Sequence, residues 1–379
     1  SNEINLFHKL IEDREKEGWP ITTDLGPDDE AVIGYTSGTT GFPKGAVHNH
    51  RNIIAHLDGM GQALAFDDHD VFITPLPFFQ LTAFLINAAL AFHVGATVVI
   101  MEKFDPKLFL KLVEKEKVTF FGGVPTIFQM LYDETKDPSS LSSFRFAICA
   151  GAPLSPRLRT DFENEMGLRI IHCYGSTETP LIAAYERPDH PPKSISVGQI
   201  APHLKVRLVK SDGHLAEIDE PGEIQIYAEN ALKCYWNNPE ATQEAIQDGW
   251  FATGDIGKLD HEGHLYIVDR AKDMIIRGGF NIYPAEIERV LLADPMIKEA
   301  AVIGEYHERL GEIPKAYVVP EKGAQLTATD VISLTRQKLA KFKVLEKVEF
   351  VSADFFPRNA FGKILKEKLR HTHINRSEE

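Results

Sequence analysis

The stretch LRIIHCYGSTET, Leu168 to Thr179, sets an apolar, β-branched run directly before a turn rich in glycine and hydroxyl residues. Such a run reads as a buried strand, which leaves the polar turn at its carboxyl end. The same arrangement recurs upstream in HDVFITPLP, ATVVIM, VTFFGGVP and FRFAICAGAPL, separated by helix-like segments that include a charged one from Pro106 to Lys117. Strands joined by crossover helices predict a largely parallel sheet, and ligands collect at the carboxyl ends of its strands. AGAPLS and CYGSTETP both fall at such ends.

A third polar turn, YTSGTTGFPKG from Tyr35 to Gly45, follows EAVIGY, which reads as a short buried strand. Gly38, Gly41 and Gly45 free the backbone, Thr36, Ser37, Thr39 and Thr40 add hydroxyls, and Lys44 supplies a mobile charge, a combination that suits phosphate. Pro43 before Lys44 and Gly45 after it exclude the Walker pattern. Composition alone equally suits a flexible surface turn.

From Ser194 the texture changes to short strands with acidic turns, as in KVRLVKSDGHLAEIDEPGEIQIYAEN, which predicts an antiparallel subdomain. After VDRAKD a small α+β unit follows. Pro284 opens a helix with Glu286 and Glu288 in its first turn, EAAVIG, KAYVVP and KVEFV read as strands, and a second helix starts near Ala328. The fold class expected is α/β: a mostly parallel sheet with helices, then a small antiparallel β subdomain, then an α+β C-terminal domain. The expected divisions are residues 1–193, 194–269 and 270–379.

Bulk properties narrow the function. The 379 residues are 43% hydrophobic and 25% charged, enough for a sizeable core in two or three domains. A formal net charge of -14 argues against nucleic acid or an anionic membrane as partner. Cys149, Cys173 and Cys234 are widely spaced and odd in number, which fits neither a disulfide framework nor a CxxC metal site and points to the cytoplasm. Leu81 to Ile100 is long enough to span a bilayer, but Asn87, His93 and Gly95 interrupt it, so it reads as a buried helix, a turn and a strand rather than a transmembrane segment.

Taken together, YTSGTTGFPKG, CYGSTETP, GWFATGDIG, DRAKDMIIRGGFNIYPAEIE and PRNAFGKILKEKLR resemble the ordered motifs of the adenylate-forming enzymes, the superfamily of acyl-CoA synthetases, luciferases and peptide-synthetase adenylation domains. The resemblance runs from about Ala31 to Arg370. It implies that ATP activates a carboxylic acid as an acyl adenylate, releasing pyrophosphate, and that a thiol then displaces AMP. Members carry a further N-terminal segment, so the resemblance also implies a truncated chain, a split subunit or an incomplete gene product.

Site roles follow from the resemblance residue by residue. Thr36 to Lys44 would hold the β- and γ-phosphates, with Thr39 catalytic. Gly151, Ala152 and Pro153 would line the adenine and acyl pocket. Tyr174 would stack on adenine, Gly175 and Ser176 would belong to the ATP- and AMP-binding set, Thr177 would contact phosphate, and Glu178 would hold Mg²⁺. Asp255 would bind ribose, and Arg270 ribose or phosphate. Lys363 would bridge the substrate carboxylate and the α-phosphate as the main catalytic group. Lys272 would be the hinge of a mobile C-terminal domain, and Gly278, Gly279 and Phe280 would face coenzyme A. Arg358, Lys366 and Lys368 read as a solvated face, and Lys341 and Lys343 as weak candidates for CoA phosphates.

Departures from the pattern bear on the acid. Phe79 and Gln80 fall where many acyl-CoA synthetases place an aromatic pair followed by histidine, no aspartate for an amino-acid ammonium stands in PFFQLTAF, and Cys173 replaces the arginine of malonate-type relatives. These differences imply a neutral, hydrophobic acyl group, aliphatic or aromatic. The expected activity is an ATP-dependent acid–CoA ligase. Delivery to a carrier protein and a nucleotide-binding module without turnover are the alternatives.

Overall fold

The computed structural model describes residues 24–36, 43–81, 83–135, 137–152, 154–179, 182–193, 195–358 and 364–370. Its largest sheet has seven strands, in the order Thr97–Ile100, Val71–Thr74, Phe120–Gly123, Phe146–Cys149, Ile170–Tyr174, Ala184–Tyr185 and Gln199–Ile200. The first five run parallel and the last two antiparallel. Neighbouring residues on these strands enter different cores. Phe72, Phe120 and Phe146 pack on one face with Leu85 and Ile86, while Ile73, Phe121 and Ala147 pack on the other with Phe109, Phe128 and Phe162. Burial on both faces is why the strands are continuous apolar runs without alternation.

The crossover helices obey local rules. Asp105 caps Pro106–Glu116 by accepting from the Leu108 amide, and Ser155 does the same for Pro156–Met166 through Leu158, each with proline at the first helical position. The apolar stretch after Leu81 forms a π-helical segment, Ala83–Ala89, a short α-helix, Leu90–Val94, and a left-handed turn at Gly95. Asn87 is buried within it. Its amide donates to the Gly122 carbonyl at 3.0 Å and accepts from the Gly122 N–H at 2.6 Å, so the polar side chain joins helix to sheet. Among the described residues no helix is long and apolar enough to cross a membrane.

The opening hairpin pairs Glu30–Thr36 with Lys44–Asn49, and the short strand Cys234–Tyr235 joins on the far side. The first strand is not buried as the sequence suggested. It is an edge, with Ile33 38% and Tyr35 64% exposed and only Gly34 enclosed. A second sheet orders Val206–Val209, Gly222–Tyr227, Trp250–Leu259 and Ile246–Gln247, with Leu265–Arg270 also on the long strand, all antiparallel.

The C-terminal part has its own sheet, Phe280–Ile282, Ile275–Arg277, Gly311–Pro320 and Ile297–His307, extended by Lys347–Phe350 parallel to the third. Helices Pro284–Leu292 and Ala328–Lys338 cover it through Ile287, Leu291 and Val331, a separate core. Two expectations are corrected here. Glu286 occupies the helix's first turn, whereas Glu288 points inward, accepting from the Val302 N–H at 2.7 Å and pairing with Lys366 at 2.7 Å. Lys366 therefore belongs to no solvated face, and Arg358 pairs with Glu299.

Candidate active site

Hairpin geometry sets the first part of the site. Thr36 and Lys44 are paired across the strands, and the Thr36 hydroxyl donates to the Lys44 carbonyl at 3.3 Å. The intervening Ser37, Gly38, Thr39, Thr40 and Gly41 lie outside the described residues, as do Pro153 and Lys363. On the first strand, Gly34 has no room for a side chain: a Cβ there would sit 2.7 Å from Thr177 Cγ2 and 2.9 Å from Leu81 Cδ2. The hairpin thus presses against both the YGSTE turn and the end of PLPFFQL. His48, fully buried, donates from Nε2 to the Thr177 carbonyl at 2.7 Å. Burial lowers its pKa to about 4, so it works as a neutral strut.

Glu178 stands on a turn closed by Thr179, whose hydroxyl accepts from the Ser176 N–H at 2.9 Å. Its Oε1 accepts from the Tyr235 hydroxyl at 3.1 Å, and the Lys44 ammonium lies 5.2 Å from the centre of the Tyr235 ring. One tyrosine therefore ties the loop lysine to the turn carboxylate. Burial, and then Glu178, raise the Tyr235 phenol, which keeps it a donor. Tyr235 is placed by the two-residue strand paired to Val47 and Ala46.

The third group is a carboxylate gripped from two sides. The Tyr174 hydroxyl donates to Asp255 Oδ2 at 2.7 Å, and Arg270 Nε lies 2.9 Å from Asp255 Oδ1. Asp255 is opposite Arg270 in the antiparallel register, and the left-handed φ of +72° at Gly254 turns the strand just before it. Burial, then Asp255, push the Tyr174 phenol well up, and Asp255 raises Arg270. Tyr174 ends its parallel strand, so this group also sits at the carboxyl edge of the sheet. Gly151 and Ala152 leave the adjacent strand there, Gly151 with a φ of +83°. Gly175 follows Tyr174 directly, and Phe79 and Gln80 form a turn in which the Gln80 N–H donates to the Pro77 carbonyl at 3.0 Å, Phe79 being exposed.

Lys272 lies in the 3₁₀ turn directly after Arg270, Ala271–Asp273, at the junction with the C-terminal part. Its ammonium is 3.8 Å from Glu367. Gly278 and Gly279, at φ +56° and +87°, form the two-residue turn of the Ile275–Ile282 hairpin, where left-handed backbone at both positions demands glycine. Phe280 beside them is exposed and stacks on Phe342 at 4.9 Å. Lys343 is held by Glu286 at 2.6 Å.

Sequence reasoning missed Tyr235 and passed over His48. Tyr235 sits in KCYWNN with no local mark of a site, and its partner is 57 residues away. His48 lacks ligand spacing because its work is to fasten a turn 129 residues on.

Comparison with known proteins accounts for this convergence. Residues 4–236 match the AMP-binding enzyme family, and residues 286–363 match the AMP-binding enzyme C-terminal domain. The chain is 37% identical over 367 residues to the indoleacetate–CoA ligase of Aromatoleum aromaticum, covering 96% of this chain and 71% of the relative. To a feruloyl-CoA synthase of an Amycolatopsis species it is 38% identical over 355 residues, covering 93% and 71%. The o-succinylbenzoate CoA synthetase of Bacillus subtilis, solved with its acyl-adenylate intermediate, superposes with a TM-score of 0.82 at 33% identity, covering 91% of this chain and 70% of that one. The chain belongs to the AMP-binding enzyme family.

Proposed function

We propose that this chain is an ATP-dependent acid–CoA ligase. In the first step a carboxylate oxygen attacks the α-phosphorus of ATP and pyrophosphate leaves. In the second the CoA thiol attacks the acyl carbonyl and AMP leaves. A carboxylate resists direct attack by a thiol because its charge is delocalised, so conversion to a mixed anhydride is the physical need that ATP meets. The observation that supports this reading is the meeting, at one sheet edge, of Lys44 and Glu178 about Tyr235 with the Tyr174–Asp255–Arg270 group.

In this reading Thr36 to Lys44 hold the β- and γ-phosphates, with Thr39 among the groups that act on them, and Thr177 borders them. Asp255, with two acceptor oxygens, takes the ribose hydroxyls, while Tyr174 and Arg270 fix its orientation. Gly151 to Pro153 and Tyr174 to Ser176 enclose adenine, and Phe79 and Gln80 border the acyl group. Lys363 would bridge the substrate carboxylate and the α-phosphate and offset the repulsion between two anions. The hard carboxylate of part-buried Glu178, beside the phosphate-loop lysine, fits Mg²⁺, which would neutralise phosphate charge.

The C-terminal part, from residue 270, turns about Lys272 between the two steps and brings Gly278, Gly279 and Phe280 toward CoA. Residues 1–193 and 194–269 form the body. A neutral hydrophobic acid fits Gln80 and Cys173, and the aromatic acids named for two relatives lie within that class. Three widely spaced cysteines support a cytoplasmic setting for the reaction.

The test is acid-dependent pyrophosphate–ATP exchange over a panel of aromatic and aliphatic acids, followed by thioester detection with CoA. Exchange and thioester with one acid class are expected. ATP binding with no exchange for any acid would sink the proposal, and exchange with transfer only to a carrier protein would reassign the acceptor.

A further inference from the structure

The reading of Lys272 as pivot divides the contacts around it into two kinds. Peptide planes are rigid, so rotation at Lys272 occurs about its φ and ψ bonds, and every atom beyond them moves with the C-terminal part. Arg370 donates from Nη1 to the Lys272 carbonyl at 2.9 Å and from Nη2 to the Asp273 carbonyl at 3.0 Å. Both carbonyls lie downstream of those two bonds. Arg370 thus joins the planes just beyond the pivot to the helical turn 366–370, and this clamp survives rotation.

Asp269 belongs to the other kind. It lies upstream of the pivot, on the strand Leu265–Arg270, and is buried. Its Oδ1 accepts from the Arg270 N–H at 2.7 Å, and its Oδ2 accepts from the Ala285 N–H at 2.7 Å. Ala285 is the second residue of helix Pro284–Leu292, whose own N-cap, Tyr283, offers no side-chain bond. The helix is therefore capped from across the pivot, by a carboxylate on a different structural part. Lys366 acts on the same carboxylate electrostatically and pairs with Glu288 on that helix. Rotation at Lys272 has to part Asp269 from Ala285 and Lys366, leaving the helix end uncapped and the carboxylate with the Arg270 N–H alone.

Resting on the ligase reading above, we propose that Asp269 is a positioning residue: it latches the C-terminal part in the pose seen here and so sets the balance between the adenylation and thioester half-reactions. It touches no reacting atom. Its removal favours whichever half-reaction uses the rotated pose.

The experiment measures the two half-reactions separately in the full chain: acid-dependent pyrophosphate–ATP exchange, and thioester formation from supplied acyl adenylate and CoA. Asp269→Ala is expected to change the ratio of the two rates by about tenfold, the scale of one charge-assisted bond. Asp269→Asn, whose amide oxygen still accepts from Ala285, is expected to change it less, and it carries the test if the alanine variant does not fold. Arg370→Lys, altering a clamp common to both poses, is expected to leave the ratio as in the wild type. A wild-type ratio in both Asp269 variants overturns the latch. Failure of the unmodified chain in either half-reaction instead counts against the ligase reading on which the latch rests.

Discussion

Tyr235 donates its hydroxyl to Glu178 at 3.1 Å while its ring lies under the Lys44 ammonium, so one side chain spaces a carboxylate from a cation that face the same phosphates in the proposed reaction. Tyr235→Phe keeps the ring and the cation–π contact and removes only the bond to Glu178. Loss of about 1 kcal/mol of orientation is expected, roughly fivefold in the apparent affinity for Mg·ATP with little change in melting temperature. Titration of nucleotide binding at varied Mg²⁺ checks it, and wild-type metal dependence would deny Tyr235 this part.

The grip on Asp255 makes a second expectation. Asp255→Ala leaves Arg270 and the Tyr174 hydroxyl without their shared partner and removes both ribose acceptors, so ATP and AMP affinity should fall about tenfold or more. Asp255→Asn should fall less. Calorimetric titration with AMP, which needs no turnover, is the measurement. Unaltered binding in Asp255→Ala would move the ribose site elsewhere.

Two buried histidines set an acid limit on stability. Burial lowers His48 to about 4 and His56 to about 3, while in the unfolded chain each titrates near 6.5. Between those values the unfolded state binds more protons than the folded one. Their contribution is therefore whole above pH 6.5 and is lost as pH falls toward 4, by up to about 1.4 kcal/mol per pH unit for each histidine. Urea unfolding from pH 7 to 4.5 should show this slope, and His48→Leu, less stable at pH 7 for want of a partner to the Thr177 carbonyl, should show a shallower one.

Lys363 is assigned by its place in GKILK. Lys363→Ala should abolish adenylation while sparing CoA attack on supplied acyl adenylate, since only the first step brings two anions together. Parallel assays of the half-reactions decide it. Equal loss of both would refute the role.

Much of the fold was legible because its physics is local. Strands buried on both faces must be apolar throughout, so FAIC and IIHCY declared themselves. Pro106 marked a helix start, where the structure begins Pro106–Glu116. The edge position of EAVIGY was not legible, since its apolar residues look the same whether or not a further layer covers them. Lys366 was misread for a related reason. A lysine among EKLR looks solvated until a carboxylate 78 residues earlier in the chain, Glu288, is folded onto it.

From the sequence alone came the order of strands and helices, the class of the sheet and the glycine, threonine and lysine turns that mark the family, because each depends on residues adjacent in the chain. Only tertiary structure decided that Tyr235 would join Lys44 to Glu178, that His48 would brace Thr177, and that Asp269 would cap the helix Pro284–Leu292. Hydrogen bonds act over about 3 Å whatever the separation along the chain, so partners that far apart in sequence leave no periodic or compositional trace.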